Sequence, residues 1–298
     1  MRVAILGERG GWHVTRLAEA LERCGHATDV VSWRTIGAAI APDGPAFEPV
    51  PLATADVVAV RGMPGVGGAG LRLEDVVFRM DALAELEARG TPCVNRPRAL
   101  EIAIDKYLSL AMLARAGVPV PRTRVAQTAA AAREAWESFG GDCVAKPLFG
   151  SRGRGIVRIR DAAAAFASGL AGTVYVQEFL PHAGWDLRIL VVGDDAFAMR
   201  RVAAAGEWRT NLSLGGRPEA VAPTTDMVDL ARRAAAAVGA VVAGIDLVPT
   251  PTGPVVLEVN GVPAWRGLQT VTDADIAAAV ATTIVRAAEP SLDRSASP

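Results

Sequence analysis

Two segments roughly a hundred residues apart carry the residue types of phosphate and metal chemistry: VAKPLFGSRGRG from Val144, and VVLEVNG from Val255. Lys146 ends a short apolar run, and the chain then turns through Gly150, Ser151, Arg152, Gly153, Arg154 and Gly155. Glycines let a backbone come close to phosphate oxygens and offer their N–H groups without side-chain obstruction, so a lysine ahead of such a loop suits a triphosphate. In the second segment Glu258 and Asn260 are two apart and share one face of a strand, and Asp246 on the preceding strand can face them. Three hard oxygen donors suit magnesium, which usually shares its shell with phosphates. Alone, the glycine run fits a plain hairpin tip and the acidic strand face a solvated surface. Apolar residues flank LEVN, however, and oxygens in a buried strand need a partner.

The elements that must position these groups follow from periodicity. Arg2 to Gly7, Gly11 to Cys24 and Thr28 to Trp33 read as strand, helix and strand, a βαβ opening. Asp56 to Gly62 reads as a buried strand, Leu71 to Arg89 as a helix stopped by Gly90, and Cys93 to Asn95 as a short strand. A helix from Ala99 to Ala116 closes at Gly117, and VPVPRT after it is an extended linker set by its two prolines. Asp142 to Pro147 and Ile156 to Arg160 are antiparallel strands around the glycine loop. A helix over Asp161 to Leu170 and strands at Thr173 to Phe179, Asp186 to Val192 and Ala196 to Val202 come next. Then follow a helix at Thr225 to Val238, strands at Val242 to Val248 and Pro254 to Asn260, and a helix from near Asp273. The expected division is 1–97, 98–183 and 184–290, with a frayed tail at 291–298.

Composition excludes several classes. With 51% apolar residues and a formal net charge of -1, no sequence-wide field recruits nucleic acid or an anionic membrane. No uncharged apolar stretch approaches the roughly 20 residues that span a bilayer. The amino terminus runs directly into RVAILG without a signal-like pattern, so a cytoplasmic location is expected. Cys24, Cys93 and Cys143 have no metal-like spacing and read as reduced core thiols. Gly7 to Gly11 follows the first strand but lacks the G-x-G-x-x-G spacing, which leaves a tight turn into the first helix. His13, His26 and His182 lack the spacing of a metal site or triad, Trp12 and Trp33 suit core or cleft wall, and no G-x-S-x-G elbow occurs. There is no repeat of fixed period.

The ordered set Asp105-Lys106, VAKPLFGSRGRG, QEFL from Gln177, Asp186-Leu187-Arg188, WRTNLSLGG from Trp208, Asp246 and LEVN from Leu257 resembles the ATP-grasp superfamily, and within it the RimK-like α-L-glutamate ligases. The likeness covers the whole chain. It implies an α/β fold in which an N-terminal pre-ATP-grasp domain precedes a two-lobed ATP-grasp domain. It also implies ATP contacts from Lys106, Lys146, Gly150, Ser151, Arg152, Gly153, Gly155, Gln177, Glu178, Phe179, Leu180 and Asp186. Asp246, Glu258 and Asn260 would bind magnesium, or manganese in its place. Arg188, Arg200 and Arg201 are the implied cations for the transferring phosphoryl group, only one of the adjacent pair facing the site. Asn211 would hold phosphate or acyl phosphate, and Gly261, Pro263 and Trp265 would face the substrate. Arg152 and Arg154 add charge to the family's loop, and Ala264 stands where glycine is common.

The reaction implied is ATP-dependent joining of an amine to a carboxylate through an acyl phosphate, with release of ADP and phosphate. L-Glutamate is the expected amino acid, and a small molecule, cofactor or protein terminus the acceptor. Neither nucleic acid nor membrane is a partner, and a homo-oligomer is in keeping with such relatives. Amino-acid or dipeptide ligation without glutamate preference uses the same residues, as would an ATP-grasp kinase that stops at a phosphorylated product. A regulatory nucleotide-binding module would show eroded lysines or metal ligands, and here all are present.

Overall fold

The computed structural model describes residues 1–42, 44–63, 72–150, 153, 155–161 and 173–289. Ser151, Arg152, Arg154, the helix expected at 161–170 and the tail lie outside the described residues.

The chain opens with strand β1 (Arg2–Leu6), helix α1 (Trp12–Arg23) and β2 (Ala27–Val31), then a hairpin of β3 (Gly37–Ala41) and β4 (Gly44–Glu48). Next come α2 (Val50–Ala53), β5 (Val57–Val60), α3 (Leu73–Ala88) and β6 (Cys93–Val94). Strands pair in the order β2-β1-β5-β6, all parallel, as the apolar four-residue runs VAIL and VVAV require when both sheet faces are covered.

The single helix expected from Ala99 to Ala116 is two, α4 (Pro97–Ile104) and α5 (Lys106–Arg115). Asp105 between them accepts the Tyr107 and Leu108 N–H groups on its carboxylate, capping the second helix and orienting Lys106 at its first position. The proline linker leads into β7 (Thr123–Ala126) and α6 (Ala129–Ser138), neither expected from periodicity. With β8 (Cys143–Pro147), β9 (Val157–Ile159) and β10 (Val174–Glu178) a second, antiparallel sheet forms in the order β7-β10-β8-β9. The third sheet, also antiparallel, has the order β13-β12-β11-β14-β15. Its strands are β11 (Trp185–Val192), β12 (Asp195–Val202), β13 (Arg217–Ala220), β14 (Val242–Thr250) and β15 (Gly253–Asn260). Helices α7 (Thr225–Ala237), α8 (Arg266–Gln269) and α9 (Ile276–Ala288) complete the described chain.

Alternation along the third sheet divides its core in two. Leu187, Ile189, Val191, Ile245 and Leu247 point to one face and pack with Ala99, Ile102, Leu113 and the apolar side of α7. Leu190, Val192 and Met199 point to the other face and join Val3, Ile5, Leu17 and Leu21 of the first sheet and α1, with Ile276 and Val280 of α9 between. First and third sheets therefore share one continuous core. The second sheet has its own small cluster around Ala132, Ala135, Cys143 and Val176. Cys93 and Cys143 are buried as expected, whereas Cys24 follows α1 on its wet side and is exposed.

Buried Asn95 staples the two joined units. Its Nδ2 donates to Val242 O at 2.7 Å and Gly261 O at 2.6 Å, and its Oδ1 accepts the Val241 and Val242 N–H groups at 2.8 and 3.0 Å. Removing the amide strands four main-chain groups at once. Asn95→Leu is expected to lower the free energy of unfolding by about 2–4 kcal/mol. Urea denaturation checks this, and a midpoint unchanged from wild type would show that water satisfies those groups.

Candidate active site

The register of the third sheet gathers its charges. Asp186 and Arg188 on β11, Arg201 on β12, Asp246 on β14, and Glu258 and Asn260 on β15 all fall on one face, because Asp186 pairs with Arg201, Arg188 with Asp246, and Asp246 with Glu258. Opposite them stands a face of the second sheet carrying Val144, Lys146 and Gln177, where Gln177 pairs with Val144. A cavity holding about 690 Å³ of empty space, open mouth included, lies between these faces.

Its floor is a buried chain of alternating charge. Arg188 grips Asp246 with two guanidinium nitrogens, one at 2.9 Å. Arg201 reaches Asp246 at 2.9 Å and grips Asp186 with two nitrogens, one at 2.8 Å, while the Thr210 hydroxyl donates to Asp186 at 2.7 Å. Burial alone would push the Asp246 carboxyl up, but Arg188 and Arg201 more than offset it and hold it below the usual carboxylate range. Neutralised in this way, the carboxylates can stay ionised out of water.

Glu258 differs from its neighbours. Among the described residues its carboxylate has no hydrogen-bond or ion-pair partner, yet it lines the cavity and its charge acts on both Lys146 and Lys106. Lys146 Nζ donates to Gln177 Oε1 at 2.7 Å, and Gln177 is held in turn by Thr123 and Tyr175 hydroxyls. Burial brings the Lys146 ammonium down to about 8; Glu258 and Asp246 oppose that shift and Lys106 adds to it. Lys106 Nζ donates to Gly150 O at 2.9 Å and Leu148 O at 3.4 Å, which sets the ammonium against the glycine loop. Two carboxylates, one free of protein partners, and the Asn260 amide two residues on are a donor set that fits magnesium, which takes one or two carboxylates and shares the remainder of its shell with water and phosphate. The Asn260 Oδ1 also accepts the Val262 N–H at 3.0 Å. Among the described residues no three His, Cys, Asp or Glu side chains converge on a metal-sized space, so the amide and exogenous oxygens would have to complete the shell.

The far end of the cavity is apolar and aromatic. Phe179, Leu180, Trp208, Val248, Leu257 and Ile156 line it. Phe179 meets Trp208 edge-on at 5.7 Å, and the Arg158 guanidinium covers the Phe179 ring at 3.3 Å. Glu178 lines the cavity, but its carboxylate is taken by Arg122, through the Arg122 N–H at 2.7 Å and Nε at 2.6 Å. The rim is closed from both sides at Gly153: with φ of +71° it presents a bare backbone 2.7 Å from Asn211 Oδ1, measured to where a Cβ would stand, and its carbonyl accepts Arg209 Nη1 at 3.3 Å.

The expected site residues thus divide. Lys146, Gln177, Glu178, Phe179, Leu180, Asp186, Arg201, Asn211, Asp246 and Glu258 line one cavity. Lys106, Gly150, Gly153 and Gly155 belong to the loop and lysine beside it, Arg188 lies beneath it in the charge chain, and Asn260 with Gly261 follows on the same strand end. Arg200 corrects the expectation: strand alternation sends it to the opposite face, over the Trp185 ring at 4.4 Å and beside Glu219. Trp265 is a second correction, for its side chain is fully buried in the shared core and cannot present a surface to substrate. His13 is a satisfied interior histidine, accepting the Trp265 and Arg266 N–H groups on Nε2 at 3.0 and 3.2 Å. Trp208, Thr210 and His182 also line the cavity: the sequence marks His182 only as lacking the spacing of a metal site or triad, and gives Trp208 and Thr210 no role beyond their segment. WRTNLSLGG contains two of them, and only the loop path shows which side chains turn inward.

Solved structures share this fold. The ATP-grasp ligase PsnB with a minimal precursor superposes at a TM-score of 0.76 with 24% identity, covering 96% of this chain and 99% of that one. A RimK-domain ATP-grasp protein from Sphaerobacter thermophilus gives 0.73 with 26% identity over 96% and 100%. Fold and site together define an ATP-grasp enzyme. Residues 103–284 match the RimK-like ATP-grasp domain, and the chain belongs to that family of ATP-dependent ligases, which form carbon–nitrogen bonds. It is 37% identical to a tetrahydromethanopterin:α-L-glutamate ligase of Methanosarcina acetivorans over 73% of this chain and 76% of the relative. A probable α-L-glutamate ligase of Shewanella loihica is 34% identical over 99% and 98%. No described helix is long and apolar enough to cross a membrane.

The contrast between the adjacent arginines can be measured directly. Arg201→Met takes away the guanidinium that pairs with buried Asp186 and one of the two that pair with Asp246, and is expected to cost about 3–5 kcal/mol of stability. Arg200→Met, on the other face, should change it by about 0.5 kcal/mol or less. Denaturant midpoints of the two variants test the assignment, and equal losses would contradict it.

Proposed function

We propose that the protein joins the amino group of L-glutamate to a carboxylate of an acceptor molecule, with ATP as the energy source and magnesium as cofactor. The observation that carries this reading is the Glu258 carboxylate, unpaired among the described residues, facing Lys146 across one cavity with Lys106 beside it and an aromatic slot in the same wall. Glutamate is supported by the names of the two relatives just described. A small-molecule or cofactor acceptor is supported by the first of them, and a peptide acceptor by the precursor-bound neighbour.

Phe179, Leu180, Trp208, Val248 and Leu257 would enclose the adenine ring, and Lys146, Lys106 and the N–H groups of the glycine loop would hold the phosphates. Asp246, Glu258 and Asn260 would hold magnesium, whose role is to offset charge on the transferring phosphoryl group. The acceptor carboxylate oxygen bonds to the γ-phosphorus as the bond to the β-bridging oxygen breaks, giving an acyl phosphate and ADP. Arg201 and Arg188, fixed in place by their aspartates, present positive charge before the reaction begins, so no reorganisation is needed as charge moves. Asn211 closes the rim over this point. The glutamate nitrogen then attacks the acyl carbon, loses a proton and expels phosphate. Lys146 and the loop shield the intermediate from water, which is what separates ligation from wasted hydrolysis.

Incubation with ATP, magnesium, glutamate and a metabolite extract of the native host should release ADP and yield a product heavier by one glutamyl unit. A stable phosphorylated product would favour a kinase, and equal ADP release with other amino acids a ligase without glutamate preference. Lys146→Ala and Glu258→Ala should each reduce turnover at least about a hundredfold with the fold retained.

The lysine also sets a pH dependence. Only the charged ammonium attracts phosphate, and in the free protein it loses its proton through about pH 8. ADP affinity should therefore be level below about pH 7 and fall toward about tenfold per pH unit above pH 8. Lys146→Arg, whose guanidinium stays charged, should flatten that profile in a calorimetric titration. The same depressed value means that the folded state binds fewer protons than the unfolded one between about 8 and the ordinary lysine range. Burying this ammonium thus costs stability at neutral pH, a cost relieved as pH rises through that window.

A further inference from the structure

The parallel first sheet changes direction between β1 and β5: from β1 the chain passes to β2 on one side, and β5 lies on the other. In open parallel sheets the crevice at the carboxyl ends of strands flanking such a point is where ligands bind. Gly7 directly follows β1 there and Arg61 directly follows β5, and the two backbones are so close that a Cβ on Gly7 would lie 3.5 Å from the Arg61 Cβ and 2.7 Å from Val14 Cγ2.

Arg61 is held in an unusual way for an enclosed cation. Its Nη2 donates to Pro263 O at 2.7 Å, its guanidinium lies over the Trp265 ring at 4.2 Å, and its Nε is buried with no partner. No carboxylate pairs with it among the described residues, and the neighbouring residues 64–71, PGVGGAGL, contain none to offer. The interior arginines Arg188, Arg201 and Arg158 all have aspartates. Burial brings the Arg61 guanidinium down to about 9, the mark of a charge removed from water without compensation. Exposed Arg266, on the opposite lip, also lacks a carboxylate among the described residues. Between the two sits His13, whose imidazole is lowered to about 4 by burial first and then by the charges of Arg61 and Arg266. It stays neutral at physiological pH, and although exposed Glu8 follows Gly7 at the same strand end, among the described residues no carboxylate forms an ion pair with either arginine.

This corner is joined to the active site through the backbone. Pro263 is three residues beyond Asn260, a reach of roughly 10 Å of extended chain. Pro263 and the Arg188 guanidinium press on the same bare backbone at Gly244, where a Cβ would lie 3.0 Å from Pro263 Cβ and 3.0 Å from Arg188 Nη1.

We propose that Arg61 and Arg266 form an anion-binding subsite at the β1–β5 crevice that holds a second acidic group, carboxylate or phosphate, of the acceptor, so that the acceptor is a molecule with at least two anionic groups. The inference rests on the ligase reading and specifies its substrate class. It also explains why Arg61 keeps a charge where an apolar side chain of similar size would be cheaper to bury.

The test uses the full chain saturated with ADP and magnesium, so that the first cavity is filled and its lysines are not available to the probe. Tricarballylate, a tricarboxylate, and inorganic phosphate are titrated separately, with calorimetry and the fluorescence of Trp265 and Trp12 as readouts. Saturable binding of either probe is expected, weakened at least tenfold in Arg61→Met and in Arg266→Gln. Preference for tricarballylate assigns the group as carboxylate, and preference for phosphate as phosphate. The bound probe should raise the wild-type Tm but not that of Arg61→Met, whose own Tm should be no lower than wild type. Arg266→Gln is exposed and keeps the test valid if Arg61→Met folds poorly. No saturable binding of either probe to the wild type, or unchanged affinity in Arg266→Gln, overturns the proposal. Wild-type ADP binding is measured in the same series: its absence would count against the ligase reading, whereas ADP binding without probe binding defeats only the anion subsite.

Discussion

Everything at this site depends on the buried run Asp186, Arg201, Asp246, Arg188, laid across three neighbouring strands. Each carboxylate there would be costly alone, and each guanidinium likewise. Linked through paired nitrogens and oxygens, they compensate one another and leave two planar cations rigidly oriented under the cavity. The arrangement has a geometric precondition. Only the register that sets Asp186 opposite Arg201 and Arg188 opposite Asp246 brings unlike charges together, and a slip by one residue would turn every one of them into the apolar face occupied by Leu187, Ile189 and Leu247. The charge chain and the two-sided core therefore specify the same pairing.

Glu258 gains its character from the same run. Asp246 beside it is already neutralised by two arginines, so the negative charge left over at the cavity wall belongs to Glu258. It faces Lys146 of the second sheet and feels Lys106 at the start of α5, and among the described residues no direct ion pair closes that gap. An ammonium and a carboxylate left apart across a cavity are suited to ligands that carry both a cation and phosphates between them. Gln177, satisfied by two hydroxyls and the Lys146 ammonium, keeps the lysine extended toward that space.

Much of this was legible in the amino-acid sequence, for reasons that differ by element. The strands β11, β12 and β14 alternate cleanly because each has one face in an apolar core and one in the charged layer, whereas on β15 the β-bulge next to Asp246 breaks period two, so that Val256 and Val259 both reach the core and Leu257 and Glu258 both line the cavity. The glycine loop could be located from Lys146 and its spaced glycines. What could not be read were features that depend on convergence. Asp105 breaks one periodic helix into two by capping, a local hydrogen bond that apolar spacing does not register. β7 is short and follows two prolines, so its signal resembles a linker. Arg200 and Arg201 are identical as letters, and only pairing with Asp186 decides between them. Thr210, Trp208 and His182 enter the cavity by the path of irregular loops, for which neither period two nor period 3.6 applies. Trp265 lies near the ligand-bearing strand in sequence, but burial in the core shared by the first and third sheets gives it a structural place.

That shared core bears on how the enzyme could open. The first and third sheets are joined by Val3, Leu17, Leu190, Trp265 and Ile276 in one apolar cluster and by the four hydrogen bonds of Asn95, so separating them would expose a large buried area. The second sheet is tied to the third more lightly, through Tyr175 in the third sheet's core cluster with Val125 and Leu148 against it, and through the Arg209 to Gly153 hydrogen bond and the close approach of Gly153 to Asn211. Motion costs least where little apolar surface is uncovered. Of the three sheets the second would therefore move at least cost relative to a base made of the other two. That base already contains Asp186, Arg188, Arg201, Asp246 and Glu258, whereas Lys146 and Gln177 ride on the moving part. Closure would then complete the site by delivering one lysine to an electrostatic frame that never has to rearrange.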